Sequence, residues 1–204
     1  SDGPLKSAIL EFVAETADPQ SVHFVPREER VAVFDNDGTL ICEKPRYSQL
    51  AFMIDRAREY VADDPTLRDE EPYLSLMNGS LGESKDIEAF IKLAMETHTG
   101  MLDEEFVAVA ERWLASARHP DLSAPYTDLV YEPMLELIAH LQDAEFQVWI
   151  CTGGGLDFVR CYSKEVYGIA PENVIGSSTQ KAYQVIDGRG EFVRLPELVL
   201  PLND

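Results

Sequence analysis

The sequence has few cysteines, and none of its hydrophobic runs is long. Cys42, Cys151 and Cys161 are odd in number and form no CxxC or Cys/His spacing, which argues against a disulfide framework and a structural zinc site. Reduced thiols favour a cytoplasmic protein. No apolar stretch approaches the roughly 20 residues that span a bilayer, and no signal peptide is visible at Ser1. We therefore expect no membrane partner.

Positive charge is also scarce. The 204 residues include 37 Asp and Glu but only 17 Lys and Arg, so the formal net charge is -20. Such a surface repels nucleic acid phosphates and anionic membranes, and we expect neither as a partner. Most of these carboxylates are expected to be simply solvated. An anionic substrate can still be drawn in by local dipoles and a bound cation.

Short apolar runs alternate with helical patterns along much of the chain. Residues 30–34, 146–151 and 173–176 read as strands, and the first is a continuous β-branched run that predicts burial on both faces of a parallel sheet. A helix is expected over 156–167, and Asp187-Gly188 predicts a hairpin turn. The alternation predicts an α/β fold with a parallel sheet covered on both faces.

The segment 47–120 differs from the rest because its apolar residues recur only at helical spacing. We predict an all-helical insertion with its own small core, between two segments of an α/β core, 1–46 and 121–204. The core segments begin with an amphipathic helix. Its expected apolar face consists of Leu5, Ile9, Phe12 and Val13.

Two acidic residues follow the first predicted strand. Asp35 and Asp37 lie at its carboxyl end, where open α/β sheets place their ligand sites. Residues i and i+2 of an extended chain point to the same side, so the two carboxylates would repel unless a cation lies between them. Mg²⁺ prefers such oxygen ligands. One carboxylate can then attack phosphorus while the other transfers protons. The alternative is an Asp-Asn-Asp-Gly turn that merely ends a strand.

A second candidate element follows the strand over 146–151. Thr152, Gly153 and Gly154 offer a hydroxyl and backbone N–H groups between a strand and a helix, an arrangement suited to an anion. Glycine-rich turns at this point are often only structural. The residues match neither the dinucleotide fingerprint nor the P-loop, which disfavours both classes.

Together the two elements resemble the motifs of the haloacid dehalogenase superfamily. The segment 31–40, VAVFDNDGTL, resembles its first motif, a hydrophobic strand followed by DxDGT, and 146–154 resembles its second. The insertion lies where the phosphoserine-phosphatase-like branch carries a small helical cap. The resemblance implies a Rossmann-like parallel sheet with a cap inserted after the first strand. It also implies a hydrolase acting on a small phosphorylated metabolite.

The resemblance also assigns roles to individual residues. Asp35 would be the nucleophile that becomes an aspartyl phosphate, and Asp37 the acid and base. Thr152 and the Gly153 N–H would hold the phosphoryl group. Mg²⁺ would be bound by the Asp35 carboxylate and the Asp37 carbonyl. An acid two residues after the nucleophile marks the phosphatases of the superfamily, so Asp37 speaks against a dehalogenase.

Residues after the first motif are candidates for substrate contact. Glu43, Arg46, Tyr47 and Gln49 would line the cleft beneath the cap, or would simply be solvated linker residues. The four histidines have no evident partner in the sequence, and we expect them on the surface or on helix faces.

The last two motifs of the superfamily are not found in this chain. The family carries a lysine and a GDxxxD cluster further on, whereas Lys164 and Lys181 are expected at the surface. We therefore expect a truncated phosphatase. An inactive binding or regulatory module is the alternative, and a phosphoacceptor domain of the response-regulator kind ranks last.

Overall fold

A parallel sheet of three strands forms the centre of the computed structural model, which describes residues 3–77, 79 and 87–199. Its strands are β1 (Val31–Phe34), β2 (Gln147–Gly155) and β3 (Val174–Ser177), in the order β1-β2-β3. The mixed α/β architecture with a parallel sheet confirms the predicted fold class. Residue 78, residues 80–86 of the predicted insertion and 200–204 of the predicted core lie outside the described residues.

The register of the sheet brings the two predicted motifs to one edge. Phe34 of β1 pairs with Ile150 of β2, and Ile150 pairs in turn with Val174 of β3. Because the strands are parallel, their carboxyl ends meet at the same side of the sheet. Asp35 and Thr152, which follow this pairing on their own strands, therefore lie at the same edge.

The prediction that the first strand is buried on both faces is wrong. Ala32 and Phe34 pack against the core, but Val31 and Val33 are 50% and 58% exposed. β1 pairs only with β2 in the described sheet, and the described part of the chain leaves the face with the two valines open. A continuous apolar run specifies a strand, but it does not specify how many neighbours that strand has.

Four helices belong to the segments before and after the insertion. They are α1 (Pro4–Ala17), α6 (Glu132–Asp143), α7 (Leu156–Arg160) and α8 (Ser163–Tyr167). The single helix predicted over 156–167 is thus two short helices. The break allows Tyr162, which is 3% exposed, to point into the core. As expected of a glycine cap, Gly168 ends α8 in the left-handed conformation, with φ 68°.

The first helix buries less of its apolar face than its spacing predicts. Val13 is 3% exposed and Ile9 packs against the core, whereas Leu5 and Phe12 are 76% and 59% exposed. Only a narrow stripe of α1 contacts the domain, so the prediction holds for the helix and fails for half of its face. No helix within residues 3–77, 79 and 87–199 is long and apolar enough to cross a membrane.

The helices of the 47–120 segment are α2 (Ser48–Asp63), α3 (Tyr73–Met77), α4 (Ile87–His98) and α5 (Asp103–Ser116). A small hydrophobic cluster lies wholly within this segment. Its buried members are Met53, Ala57, Val61, Tyr73 and Leu93. The opposite side of the same helices joins the main core, since Phe52 and Phe106 share a cluster with Ile150.

A two-stranded antiparallel hairpin follows the sheet. It consists of β4 (Thr179–Ile186) and β5 (Arg189–Leu198). Asp187 and Gly188 form its turn with φ values of 50° and 78°, the geometry of a type I′ turn, as predicted. The backbone of Arg194 exchanges hydrogen bonds with residues 100 and 101, so β5 is attached to the connection between α4 and α5.

Candidate active site

The loop after β1 is held in place by a buried amide. Asn36 is 1% exposed, its Nδ2 donates to the Tyr162 hydroxyl at 3.0 Å, and its Oδ1 accepts from the Tyr167 hydroxyl at 3.0 Å. Its backbone N–H donates to Asp35 Oδ1 at 2.7 Å. The Asn36 side chain is therefore fixed inside the domain, and the flanking Asp35 and Asp37 are directed away from the core.

The last residues of β2, 152–155, where the register shifts, form the glycine turn, whose polar groups bond mainly to one another and to β3. Gly154 N donates to Thr152 Oγ1 at 3.0 Å, and Ser177 Oγ donates to the Gly153 carbonyl at 2.9 Å. Thr152 is 5% exposed, and its pairing with Gly176 is followed by a shift in register. Because Thr152 Oγ1 accepts from Gly154, its own hydroxyl proton stays free to donate into the space beside the turn.

A cavity of about 540 Å³ opens at this edge of the sheet. The residues predicted as catalytic or phosphate-binding all line it. They are Asp35, Asp37, Thr152 and Gly153. A Cβ built on Gly154 would lie 3.4 Å from Thr152 Oγ1 and 3.8 Å from Asp37 Oδ2, which measures how closely the two motifs approach.

The candidate substrate contacts fall into two groups. Tyr47 and Gln49 line the cavity. Glu43 lies behind the loop, where it accepts from the Tyr131 hydroxyl at 3.2 Å and approaches Gly38, and Arg46 is exposed and is not part of the lining. The structure thus brings Tyr47 to the two aspartates and leaves Glu43 and Arg46 outside the cavity wall.

The two aspartates differ in their surroundings. Asp35 is exposed, whereas Asp37 is half-buried. Burial raises the pKa of Asp37 above its usual value. A hydrogen bond from Asn36 opposes this, and the charges of Asp35 and Glu43 add to it. Neither Asp35 nor Asp37 forms an ion pair with Lys or Arg within the described part of the chain.

These carboxylates fit a divalent cation. Within residues 3–77, 79 and 87–199, no group of three or more His, Cys, Asp or Glu side chains is arranged to hold a metal ion. Mg²⁺, however, keeps several waters and takes one or two carboxylates from a protein. Two unpaired carboxylates lining one cavity, with the pKa of Asp37 raised in part by Asp35, match that donor set in number and chemistry.

A glutamine from the insertion reaches the glycine turn. Gln49 Oε1 accepts from Gly155 N at 2.8 Å, and this bond fixes which end of the amide carries its hydrogens. Gln49 Nε2 lies 3.0 Å from His98 Nε2, so that ring nitrogen accepts and His98 carries its proton on Nδ1, 2.9 Å from Thr97 Oγ1. Burial, followed by the charge of Arg194, lowers the pKa of His98 to about 3. His98 is therefore neutral.

A buried arginine joins four elements beside the cavity. Arg194 of β5 is 2% exposed, and its Nη1 lies 2.6 Å from Asp157 Oδ2 of α7 and 2.7 Å from Asp103 Oδ1 of α5. Its Nε donates to the His98 carbonyl at 2.6 Å, and its guanidinium lies 4.1 Å from the centre of the Phe106 ring. The charge of this cation is thus paired with two carboxylates through Nη1, and its Nε is bonded to the backbone.

Lys181 completes the same cluster and corrects an expectation. Its Nζ lies 2.8 Å from Asp103 Oδ1 and 3.2 Å from Asp157 Oδ1, with the side chain 26% exposed, so it is not a freely solvated surface lysine. Burial alone would raise the pKa of Asp157. The charges of Arg194 and Lys181 and their hydrogen bonds outweigh burial and hold it below its usual value.

Sequence reasoning missed the partners of these side chains. The histidines were expected on the surface or on helix faces, without partners. His119 is 4% exposed outside any helix, so this expectation is wrong for it, and His98 lies on α4 but is 6% exposed and lies within hydrogen-bond distance of Gln49. The signal for Arg194 was weak. It stands in an alternating strand, where a single charged residue at an inward position suggests a buried partner, but nothing local identifies Asp157, 37 residues away, as that partner.

Comparison with known proteins gives one family and several solved structures of similar fold. Residues 32–197 match the family model described as haloacid dehalogenase-like hydrolase. No curated protein matches the chain. A protein of unknown function from Bordetella pertussis has a TM-score of 0.52 at 18% identity, covering 84% of this chain and 66% of that one. A functionally unknown protein from Anaerococcus prevotii has a TM-score of 0.53 at 14% identity, covering 96% and 71%. These two similarities concern the fold alone.

A more distant structural match is a phosphoserine phosphohydrolase-like protein from Francisella tularensis. Its TM-score is 0.39 at 17% identity, over 75% of this chain and 60% of that chain. This chain therefore spans less than two thirds of the length of the Francisella and Bordetella proteins.

Proposed function

Because the chain belongs to the haloacid dehalogenase-like hydrolases, we propose that it is a Mg²⁺-dependent phosphomonoesterase that acts through an aspartyl-phosphate intermediate. The proposal rests on one observation above the others. The carboxylates of Asp35 and Asp37 and the hydroxyl of Thr152 line the same cavity. Neither carboxylate has a basic partner in the described part of the chain. The substrate is a small phosphorylated metabolite.

Asp35 is the nucleophile in this proposal. Its exposed carboxylate attacks phosphorus, the bond from phosphorus to the ester oxygen breaks, and an acyl phosphate forms on Asp35. The backbone N–H of Asn36 donates to Asp35 Oδ1 and orients the carboxylate, leaving the other oxygen as the attacking atom. Water then attacks the acyl phosphate, so that its oxygen leaves with inorganic phosphate and the Asp35 carboxylate is regenerated.

Asp37 is the proton donor and acceptor. Burial raises the pKa of Asp37, which favours the protonated form that donates to the departing alkoxide, and the resulting carboxylate then removes a proton from the attacking water. A nucleophile and an acid–base group that lie close together in different environments form the arrangement that this two-step chemistry needs. Here the difference comes from the half-burial of Asp37 beside the exposed Asp35.

Thr152 and the Gly153 N–H bind the phosphoryl oxygens. The Thr152 hydroxyl is pre-oriented, because its oxygen already accepts from Gly154 and its proton is free to donate. The Asp35 carboxylate and the Asp37 backbone carbonyl would hold Mg²⁺, which would supply charge neutralisation for the phosphoryl group. Thr152 and the Gly153 N–H hold the ester in line with the attacking oxygen of Asp35, and positioning of this kind supplies much of the rate of phosphoryl transfer.

The segment 47–120 acts as a cap over the site in this proposal. Tyr47, Gln49 and residues of α2 and α4 form the side of the cavity opposite the strand ends. The hydrogen bond from Gly155 to Gln49 ties that segment to the glycine turn. Residues 1–46 and 121–204 then form the catalytic core.

The decisive experiment is Mg²⁺-dependent release of phosphate from an aryl phosphate. We expect Asp35→Asn to lower kcat by at least about 10³-fold, because the nucleophile is lost while the shape of the site is kept. Asp63→Asn, at an exposed position in α2, makes the same change of charge and is the matched control. Full turnover by Asp35→Asn in a clean preparation would refute the proposal.

A second candidate function is that of a binding or regulatory module. Its basis is the engagement of Arg194 by two carboxylates, which leaves no unpaired Lys or Arg in the lining contributed by the described residues. This function predicts Mg²⁺-dependent binding of inorganic phosphate with no release from any phosphomonoester. Turnover that depends on Asp35 excludes it.

A further inference from the structure

The cavity has an apolar part that the proposed chemistry does not use. Its lining is supplied mainly by helices of the 47–120 segment and by α7. The apolar side chains are Leu50, Met53, Ala94, Met95, Phe106 and Phe158. The groups proposed to react with and bind the phosphoryl group come instead from the loop after β1 and from the carboxyl end of β2, so that the phosphoryl group and the rest of a substrate meet different chemistry.

The charges around the cavity are arranged against a second anionic group. Asp35, Asp37 and Asp157 all line it, and Arg194 is the one cation in the lining that the described residues provide. The charge of Arg194 is already paired with Asp103 and Asp157 through Nη1, and its Nε donates to a backbone carbonyl. A carboxylate or second phosphate on the substrate would therefore lose water without gaining a free basic partner.

Gln49 and His98, the polar side chains that α2 and α4 contribute to the lining, are also occupied. Gln49 bonds to Gly155 and to His98, and His98 is neutral and directed toward Thr97. Neither offers a positive charge to a substrate. The volume of about 540 Å³ lies in the usual range for a small organic ligand, so there is room for a group beyond the phosphate.

We infer that the leaving group of the substrate is a neutral, largely apolar alcohol or phenol, and that esters with a second anionic group are poor substrates. This inference rests on the proposed phosphomonoesterase function, whose leaving group it specifies. Contact with the apolar wall stabilises binding, because it removes hydrocarbon from water. An unpaired carboxylate at the same wall would have to remain hydrated or lie away from the wall.

The first test compares two esters that differ only in remote charge, benzyl phosphate and 4-carboxybenzyl phosphate. The carboxylate is separated from the ester oxygen by the ring and a methylene group, so the two leaving alcohols are similar in chemistry. We expect kcat/KM of the protein for benzyl phosphate to exceed that for the carboxylated ester by at least about tenfold. Equal values, or a preference for the carboxylated ester, would overturn the inference.

A substitution in the cavity wall should reduce the preference for benzyl phosphate. Met95 lies in the cavity wall and is half-buried, so Met95→Lys places an ammonium there on a side chain of similar length. We expect it to narrow the ratio of the two kcat/KM values by about fivefold or more, since the carboxylate gains a partner. Met77→Lys adds the same charge at a position that is 43% exposed and outside the lining, and should leave the ratio unchanged.

Binding of the corresponding phosphonates separates this inference from the proposed function. Benzylphosphonate and 4-carboxybenzylphosphonate cannot be hydrolysed, and calorimetry with Mg²⁺ present measures their affinities directly. Tighter binding of benzylphosphonate than of its carboxylated analogue, with no turnover of either ester, would support the apolar pocket and refute the phosphomonoesterase. Turnover of both esters with equal kcat/KM would support the phosphomonoesterase and refute the apolar pocket. Failure of both phosphonates to bind would overturn the inference.

Discussion

At the scale of single residues, the candidate site depends on uncharged side chains that never touch a substrate. Asn36 lies between the two aspartates and binds the hydroxyls of Tyr162 and Tyr167, which fixes the loop after β1. Gly176 of β3 packs against the glycine turn, where a side chain would not fit. Both carry no charge, yet the position of the charged groups follows from them.

Gly176 is the clearest case. A Cβ at this position would lie 2.8 Å from the Gly154 carbonyl oxygen, closer than real Cβ atoms approach, and in tight contact at 3.0 Å with Thr152 Cγ2. We therefore expect Gly176→Ala to push the turn away from β3, to lower the free energy of unfolding by about 1–3 kcal/mol and to weaken phosphate binding.

Denaturant unfolding measures the first effect of Gly176→Ala, and Gly153→Ala is its control for stability. A Cβ at Gly153 would meet nothing within 4 Å, so its free energy of unfolding should change far less. Equal losses in the two variants would show that the crowding at Gly176 is relieved at no cost.

His98 makes the stability depend on pH. Burial and then the charge of Arg194 lower its pKa from 6.5 to about 3, so the unfolded chain takes up the proton first as pH falls. The contribution of neutral His98 is fully present above about pH 6.5 and is lost progressively toward pH 3. We expect the free energy of unfolding to fall between about pH 7 and 5 by roughly 1–2 kcal/mol more than in His98→Gln.

Denaturant unfolding at several pH values measures that difference. His23→Gln, which replaces an exposed histidine, should keep the pH dependence of the unsubstituted protein. Parallel curves for His98→Gln and the unsubstituted protein would mean that His98 takes up its proton in the folded state as readily as in the unfolded state.

At the scale of elements, the β4–β5 hairpin is the piece that joins the sheet to the helices inserted after β1. Arg194 of β5 contacts Asp157 at the start of α7, Asp103 at the start of α5 and the last carbonyl of α4. A hairpin without a sheet of its own is marginally stable in water. These contacts therefore stabilise the hairpin as well as the wall of the cavity.

Removing Arg194 should accordingly be costly. Arg194→Met leaves Asp157, which is 8% exposed, with Lys181 as its remaining basic partner. Loss of one member of a buried ion pair costs about 3–5 kcal/mol in the free energy of unfolding. Adding Asp157→Asn should recover part of that loss, because it removes the unpaired charge. Urea unfolding measures both variants.

Arg189→Met, at the exposed start of β5, is the matched control and should change stability by less than about 0.5 kcal/mol. If Arg194→Met were as mild as this control, the ion pairs of Arg194 would contribute no net stability. The role assigned to the hairpin would then be wrong.

The elements also mark how far the sequence can predict this protein. The hairpin turn at Asp187-Gly188 and the cap at Gly168 depend on local backbone preferences, and both are as expected. The exposure of Val31 on β1 and the interruption of the predicted helix before Ser163 depend on which elements pack alongside. No local sequence pattern encodes that packing.

The candidate site likewise contains residues that the sequence predicts and residues that it does not. Its strand-end residues were predicted, because the carboxyl ends of parallel strands meet wherever such a sheet forms. The contact between Gln49 and His98 spans 49 positions and the one between Arg194 and Asp157 spans 37. Those partners are chosen by packing between elements, so the neutral histidine and the engaged arginine could not be foreseen.

At the scale of the whole molecule, the main core runs across the boundary between the two proposed domains. Phe52 of α2 and Trp113 of α5 lie 5.2 and 6.1 Å, between ring centres, from Phe158 of α7. A shared aromatic cluster couples the helices inserted after β1 to the sheet more strongly than a hinge between independent domains would. The second cluster, inside the 47–120 segment, has five buried members among the residues that the structure describes.

The two tryptophans test whether this coupling makes unfolding cooperative. The chain has only two, Trp113 on α5 and Trp149 on β2, so each proposed domain carries one reporter. We expect Trp113→Phe and Trp149→Phe, each reporting from the tryptophan that remains, to give fluorescence transitions that coincide with far-UV circular dichroism. Comparing two signals within one variant removes any effect of the substitution on stability itself. A fluorescence midpoint displaced from the dichroism midpoint in either variant would mean that the helices and the sheet unfold separately, and the cavity between them would then be an interface between two mobile bodies.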